Sequence, residues 1–327
     1  MKIKQKIKEC SLQTCIIELP SEDSIKKSIR NQRSSSNQKK QNNDWKRCEN
    51  EQFLLKDNGP ESSERIIIFE LDSSLEQLAN ADTWFIDGNF GLAPEHSLQL
   101  YRKMENTYEE MFKIILNECN NRELYPDPLY FNVDFEIAVH KAAKTVFGEH
   151  ISIRGCFYHL SQSTLKIRNL GLSKRYKEDE NFNLYYAMMD ELAFLFVVKV
   201  CEGMNYLKQN CPTGAEDLLQ HFDENYVGES WNNSVNNPHK TNNACEGWNN
   251  RFSNLVGIKH PSIWKLHTKM CQEVGKNKAR MALAEIGEIN RRKTKAGKKI
   301  EVRLNILCQH FDEDESEDIP NFLKQIS

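Results

Sequence analysis

Three acidic side chains stand where carboxylates could gather around a divalent cation. Asp87 closes the run Thr83-Trp84-Phe85-Ile86-Asp87 and is followed by Gly88. Asp134 closes Leu129-Tyr130-Phe131-Asn132-Val133-Asp134 and is followed by Phe135-Glu136. Glu246 lies far downstream, in Thr241-Asn242-Asn243-Ala244-Cys245-Glu246-Gly247-Trp248-Asn249-Asn250. Two carboxylates at the ends of apolar strands and a third on a later helix supply the hard oxygen ligands that magnesium or manganese takes. A two-metal site of that kind suits the cutting and joining of phosphodiesters. Each residue also has a plainer reading. An aspartate before glycine serves a turn, and an aspartate before a helix serves as its N-cap. Cys156 and His159, in Gly155-Cys156-Phe157-Tyr158-His159, make half a zinc site, and no second Cys/His pair stands at a matching spacing. Zinc is therefore not expected, and a buried cysteine beside a hydrogen-bonded histidine is the expectation.

The elements that must position these residues follow from periodicity. Ile66-Ile67-Ile68-Phe69 reads as a short strand, and Ser73-Ser74 as the cap of a brief helix through Leu78. A strand over 84–87 carries Asp87. Residues 104–119 hold Met104, Tyr108, Met111-Phe112, Ile115-Leu116 and Cys119 at helical spacing. Pro126 and Pro128 break the chain before a strand over 129–134, and a helix over 136–147 closes at Gly148. A strand over 151–153 leads to Cys156 and His159. Strand and helix alternate in this way in α/β cores. Between residue 160 and about residue 240 the expectation is helix alone, with one long helix over 184–207 and another over 215–222. After Pro261 the chain is helical again, and Trp248 and Trp264 read as core residues.

The chain has 327 residues, 28% of them charged and 39% hydrophobic, with a formal net charge of −3. That balance does not mark a nucleic-acid binder, although charge is uneven along the chain. Residues 1–50 hold 12 Lys/Arg against 6 Asp/Glu, a net of +6, and read as a basic, partly disordered segment. Arg291-Arg292-Lys293 and Lys298-Lys299 form a basic stretch ahead of the acidic run Asp312-Glu313-Asp314-Glu315. The ten cysteines include no Cys-x-x-Cys, which fits a reducing, nuclear or cytoplasmic location. Met-Lys-Ile-Lys-Gln-Lys-Ile-Lys at the start has no apolar stretch behind its charges, so no secretory leader is expected. No membrane partner is expected either. The apolar segment 192–198 is bracketed by charges and reads as part of a buried helix.

Five segments taken in order resemble the Mutator-like element (MULE) transposases. Trp84-Phe85-Ile86-Asp87-Gly88-Asn89-Phe90 is similar to that family's Asp-Gly-Thr-Phe segment, with Asn89 in place of threonine. Val133-Asp134-Phe135-Glu136 resembles its second-aspartate motif, and Gly155-Cys156-Phe157-Tyr158-His159-Leu160 its Cys-x-x-His element. The Thr241–Trp248 segment resembles the one carrying the glutamate, and His260-Pro261-Ser262-Ile263-Trp264 completes the set. Leu19-Pro20-Ser21-Glu22-Asp23-Ser24-Ile25 resembles the helix that precedes the core. The resemblance implies a ribonuclease-H-like α/β core with an all-helical insertion. It implies that Asp87, Asp134 and Glu246 are catalytic and hold Mg2+ or Mn2+, and that Cys156 and His159 are accessory. It also implies DNA as partner, a nuclear location and a homodimer. On that reading residues 1–50 precede the core, 51–260 form it with the insertion at about 165–240, and 261–327 are a helical C-terminal region.

The resemblance also exposes a departure. Only 47 residues separate Asp87 from Asp134, and Tyr101 passes directly into Arg102-Lys103-Met104 where the family has two further strands. The core is therefore expected to lack its second and third strands. That loss would leave one edge of the Asp87 strand unpaired and loosen the placement of Asp87. Impaired DNA cleavage and strand transfer is the resulting expectation. The alternative is a non-enzymatic DNA- or protein-binding scaffold domesticated from a transposase.

Overall fold

The computed structural model describes residues 9–11, 15–19, 46–59, 62, 65–88, 92–93, 105–156, 159–160, 167, 169–195, 197–226, 243–285, 302, 306 and 318–326, with backbone alone for 9–11, 15–19, 197–198, 243–246, 280–282, 284–285 and 326. The fold is mixed α/β. A four-stranded sheet contains β1 (Glu9–Ser11), β7 (Thr83–Phe85), β8 (Tyr130–Val133) and β9 (Ser152–Gly155), in the order β1-β7-β8-β9. A second, three-stranded sheet is antiparallel, with β6 (Arg65–Phe69) between β2 (Cys15–Leu19) and β5 (Leu54–Asp57). β3 (Arg47–Cys48) and β4 (Glu51–Gln52) form a two-residue hairpin ladder.

Residues 1–50 include β1 and β2. The first sheet corrects one expectation: the edge of the strand leading to Asp87 is not bare. β1 pairs with β7 in parallel, with Glu9 opposite Thr83, Cys10 opposite Trp84 and Ser11 opposite Phe85. A strand from the distant N-terminal segment thus supplies the backbone partners that a hairpin after β7 would have supplied. Residues 105–129 hold one helix and a loop, without a strand, and residues 94–104 lie outside the described residues.

Contacts divide the chain into two compact units. The first comprises Met1–Phe131, Ile137–Ile151 and Ala244–Asn290; the second comprises Asn132–Glu136, Ser152–Asn243 and Arg291–Ser327.

In the first unit, β6 has Ile66, Ile67, Ile68 and Phe69 all at 1% exposure or less. A strand buried on both faces reads as a continuous apolar run, which is why Ile-Ile-Ile-Phe is legible. The turn from β5 to β6 is held by a bidentate pair. Arg65 Nε and Nη2 donate to Asp57 Oδ1 at 2.9 Å and Oδ2 at 2.6 Å, which holds the Asp57 carboxyl below its ordinary range. Helix α1 (Asp72–Ala79) buries Leu75 and Leu78. Its N-cap is Leu71 in extended conformation with no side-chain cap, so Ser73 and Ser74 fall inside the first turn and do not cap it. Trp84 is fully buried and donates its indole N–H to Leu78 O at 3.1 Å. It sits in an aromatic group with Phe112 of α2 (Glu105–Asn120), Phe131 of β8 and Phe147 of α3 (Ile137–Phe147). Gly148 ends α3 at φ +97°, with its N–H on Lys144 O, as expected of a helix stop.

Among its described residues the second unit is helical beyond β9. Its elements are α4 (Ser173–Glu178), α5 (Glu180–Glu191), α6 (Val197–Gln209), α7 (Glu216–Tyr226) and α10 (Ile319–Ile326). The single helix expected over 184–207 is broken. Leu192–Phe194 form a 3-10 turn and Leu195 is extended before α6 begins. Leu192, Ala193, Phe194 and Leu195 are all buried. Gly203 of α6 permits this turn to pack closely, since a Cβ there would lie 2.6 Å from Leu192 Cδ2 and 2.7 Å from Leu195 Cδ1. The expected long linker over 34–43 and the charge runs over 291–299 and 312–315 lie outside the described residues.

Candidate functional site

Asp87 stands two residues beyond the last residue of β7, in a stretch without regular structure, and is half-buried. What reaches it is α8 (Asn243–Val256). Asn249 Nδ2 donates to Asp87 Oδ2 at 2.7 Å, across 162 residues of sequence. Position 246 lies in α8, one turn before Asn249; the Glu246 side chain is outside the described residues. The first unit therefore brings the helix that carries Glu246 against Asp87.

Helix α8 is anchored immediately after Asn249. Phe252 and Val256 are buried in the core with Phe53, Leu54, Ile67 and Phe69. Arg251 pairs with Glu273 of α9 (Ile263–Glu285), and Glu273 is only 2% exposed. Trp248 stacks on Phe252 with ring centroids 4.7 Å apart, so its ring is a packing element, as expected. Trp264 differs: at 37% exposure it is not a core residue.

Asp134 belongs to the second unit and is half-buried just beyond β8. Its Oδ1 accepts the backbone N–H of Glu136 at 3.2 Å, an Asx-type turn leading into α3. The plainer reading of Asp134 as a residue shaping the entry to a helix therefore has a bond behind it. Phe135 packs its ring where Gly155 leaves room, since a Cβ at Gly155 would lie 2.5 Å from Phe135 Cζ. Phe135 also meets Tyr226 edge-on at 5.0 Å.

Cys156 is buried at 2% exposure, and its N–H donates to Val133 O at 2.9 Å, extending β9 along β8. His159 lies in a helical turn and is half-buried. Among the described residues no three His, Cys, Asp or Glu side chains come together to hold a metal ion. The donor chemistry of Asp87 and Glu246 suits magnesium or manganese, and the docking of α8 on Asp87 is the structural feature that fits it.

Sequence reasoning passed over several groups. Asn249 was one motif member among many, although its position three residues after Glu246 could have flagged it. Glu70 and Glu273 line a pocket of about 60 Å³ in the first unit with Trp248, Phe53 and Lys278. Burial pushes the Glu70 carboxyl up to about 7, against accepted bonds from Leu71 N–H and Ser74. Of the described cysteines, Cys48, Cys119 and Cys156 are buried and none is in a disulfide. Burial raises the Cys119 thiol to about 11. Among the described residues no helix is long and apolar enough to cross a membrane. The chain matches no protein-family model, no curated protein and no solved structure.

Proposed function

We propose that this chain is a transposase-derived protein of the MULE type, built on a ribonuclease-H-like core and competent for metal-dependent DNA cleavage. The observation that carries the proposal is the hydrogen bond from Asn249 to Asp87, which brings together two of the three segments chosen for their carboxylates. The ordered series of motifs supports it from the sequence. The pairing of β1 with β7 adds support by removing the unpaired edge, which was the reason to expect impairment.

The residues that the resemblance implies as ligands, Asp87, Asp134 and Glu246, would hold Mg2+ or Mn2+, and the metal would supply activation of a water or 3′-hydroxyl and charge neutralisation at the departing oxygen. Asp87 contributes a hard anionic oxygen from a loop, and α8 fixes that loop in place. Arg251, through its pair with Glu273, and Phe252, through the core, keep α8 in register. DNA is the partner, and the nucleus its place of action.

A second reading, a scaffold that binds DNA without cutting it, draws on the turn-forming bond of Asp134. Nicking of a supercoiled plasmid separates the two. The purified chain with Mn2+ or Mg2+ is expected to nick. Asp87→Ala, Asp134→Ala and Glu246→Gln are each expected to reduce the rate by more than about 100-fold, beyond the 10–100-fold typical of lost supporting groups. Wild type that binds the plasmid but leaves it intact at every metal concentration would establish the scaffold reading instead.

A further inference from the structure

We propose that Asn249 is a positioning residue that sets the orientation of the Asp87 carboxylate for metal binding, an inference that rests on the nuclease reading above. Asp87 lies past the end of β7, in a stretch without regular structure, where side-chain contacts help to set the direction of its carboxylate. A carboxylate on such a segment can rotate, and a metal ligand tolerates little displacement. The Asn249 contact supplies a constraint at 2.7 Å from a helix held on either side, by Trp248 packed against the core of the first unit and by Arg251 on Glu273.

The chemistry of the pair points the same way. An ionised carboxylate only accepts, so the Asn249 amide must present its nitrogen, and the direction of the bond is fixed without choosing between amide orientations. One donated N–H uses one of about four lone-pair positions of a carboxylate. Metal-ligating carboxylates are commonly held by such a second partner, and its loss weakens metal binding or activity by about 10–100-fold. Position 246 is on the same helix one turn earlier, so one contact sets the placement of Asp87 and the register of the Glu246 helix together.

The test uses the full chain and a readout that does not depend on cleavage. The side-chain amide resonances of Asn249 are followed by 15N NMR in wild type and in Asp87→Ala, and the Mn2+ midpoint is read by EPR of the free ion and by plasmid nicking. The expected result is a marked shift of the Asn249 amide in Asp87→Ala. Asn249→Ala is expected to raise the Mn2+ midpoint about 10–100-fold with its melting temperature little changed, and Asn249→Gln to recover part of that loss. If Asn249→Ala unfolds, Asn249→Gln and Asn249→Leu, similar in bulk but with and without the donor, carry the same comparison. Wild type that binds Mn2+ and nicks, with Asn249→Ala doing both at the wild-type midpoint, overturns the positioning role and leaves the nuclease reading standing. Wild type that neither binds Mn2+ nor nicks overturns both.

Discussion

Glu70 joins β6 to α1 beside Phe69 and Leu71, with its carboxyl taken out of water and its pKa pushed from 4.5 up to about 7. Between those values the folded chain keeps a proton that the unfolded chain has released. The associated stabilisation is complete below about pH 4.5 and is lost as pH rises through about 7. Glu70→Gln keeps the shape and removes the titration. It should stabilise the protein relative to wild type by about 1–3 kcal/mol near pH 8 and change little near pH 4, as measured by urea unfolding at both. A variant with the same stability difference at both pH values would show that Glu70 ionises as freely in the folded chain as in the unfolded one. Asp190 of α5 in the second unit is pushed up to about 7 by the same cause, so the wild-type baseline will itself fall over this range. Residue chemistry of this kind was not legible in the sequence. Glu70 follows an apolar strand just as many exposed glutamates do, and only packing decides whether its carboxyl meets water.

Among the elements, β1 alters the functional argument most. Its three-residue ladder covers the edge of the strand leading to Asp87. Deleting residues 1–12 should cost about 1–3 kcal/mol, from a short ladder at about 1 kcal/mol per bond, and should expose an edge that pairs with other chains. Thermal unfolding should shift down, and light scattering should rise with protein concentration. Unchanged melting and scattering would mean that β1 does not protect β7. Most elements were readable from local pattern. Ile66 to Phe69 is apolar without interruption, and 104–119 repeats at helical spacing. The helix stop at Gly148 follows from glycine's ease at positive φ. The break at 192–195 was not readable, because Leu-Ala-Phe-Leu-Phe-Val-Val is apolar throughout and carries no breaker. The close approach of Gly203 to Leu192 and Leu195 accompanies it, and that is a packing fact.

At the scale of the whole molecule, a net charge of −3 with +6 gathered in residues 1–50 makes any DNA affinity depend on local patches. Binding driven by phosphate contacts should weaken linearly in log affinity against log salt, with a slope of about −0.9 per phosphate neutralised. Filter binding of a plain duplex at several salt concentrations measures it. A duplex that fails to bind at every salt concentration would remove DNA from the reading. The chain alone determined the α/β alternation, the positions of four of the nine described strands and of most helices, and the three carboxylates with their motif order, because these are set by local periodicity and residue type. Tertiary structure alone decided that β1 covers β7 and that Asn249 holds Asp87. Both are pairings between segments far apart in sequence, the second across 162 residues. No local pattern encodes them, because their energy comes from backbone and side-chain groups that meet only once the core has closed around them.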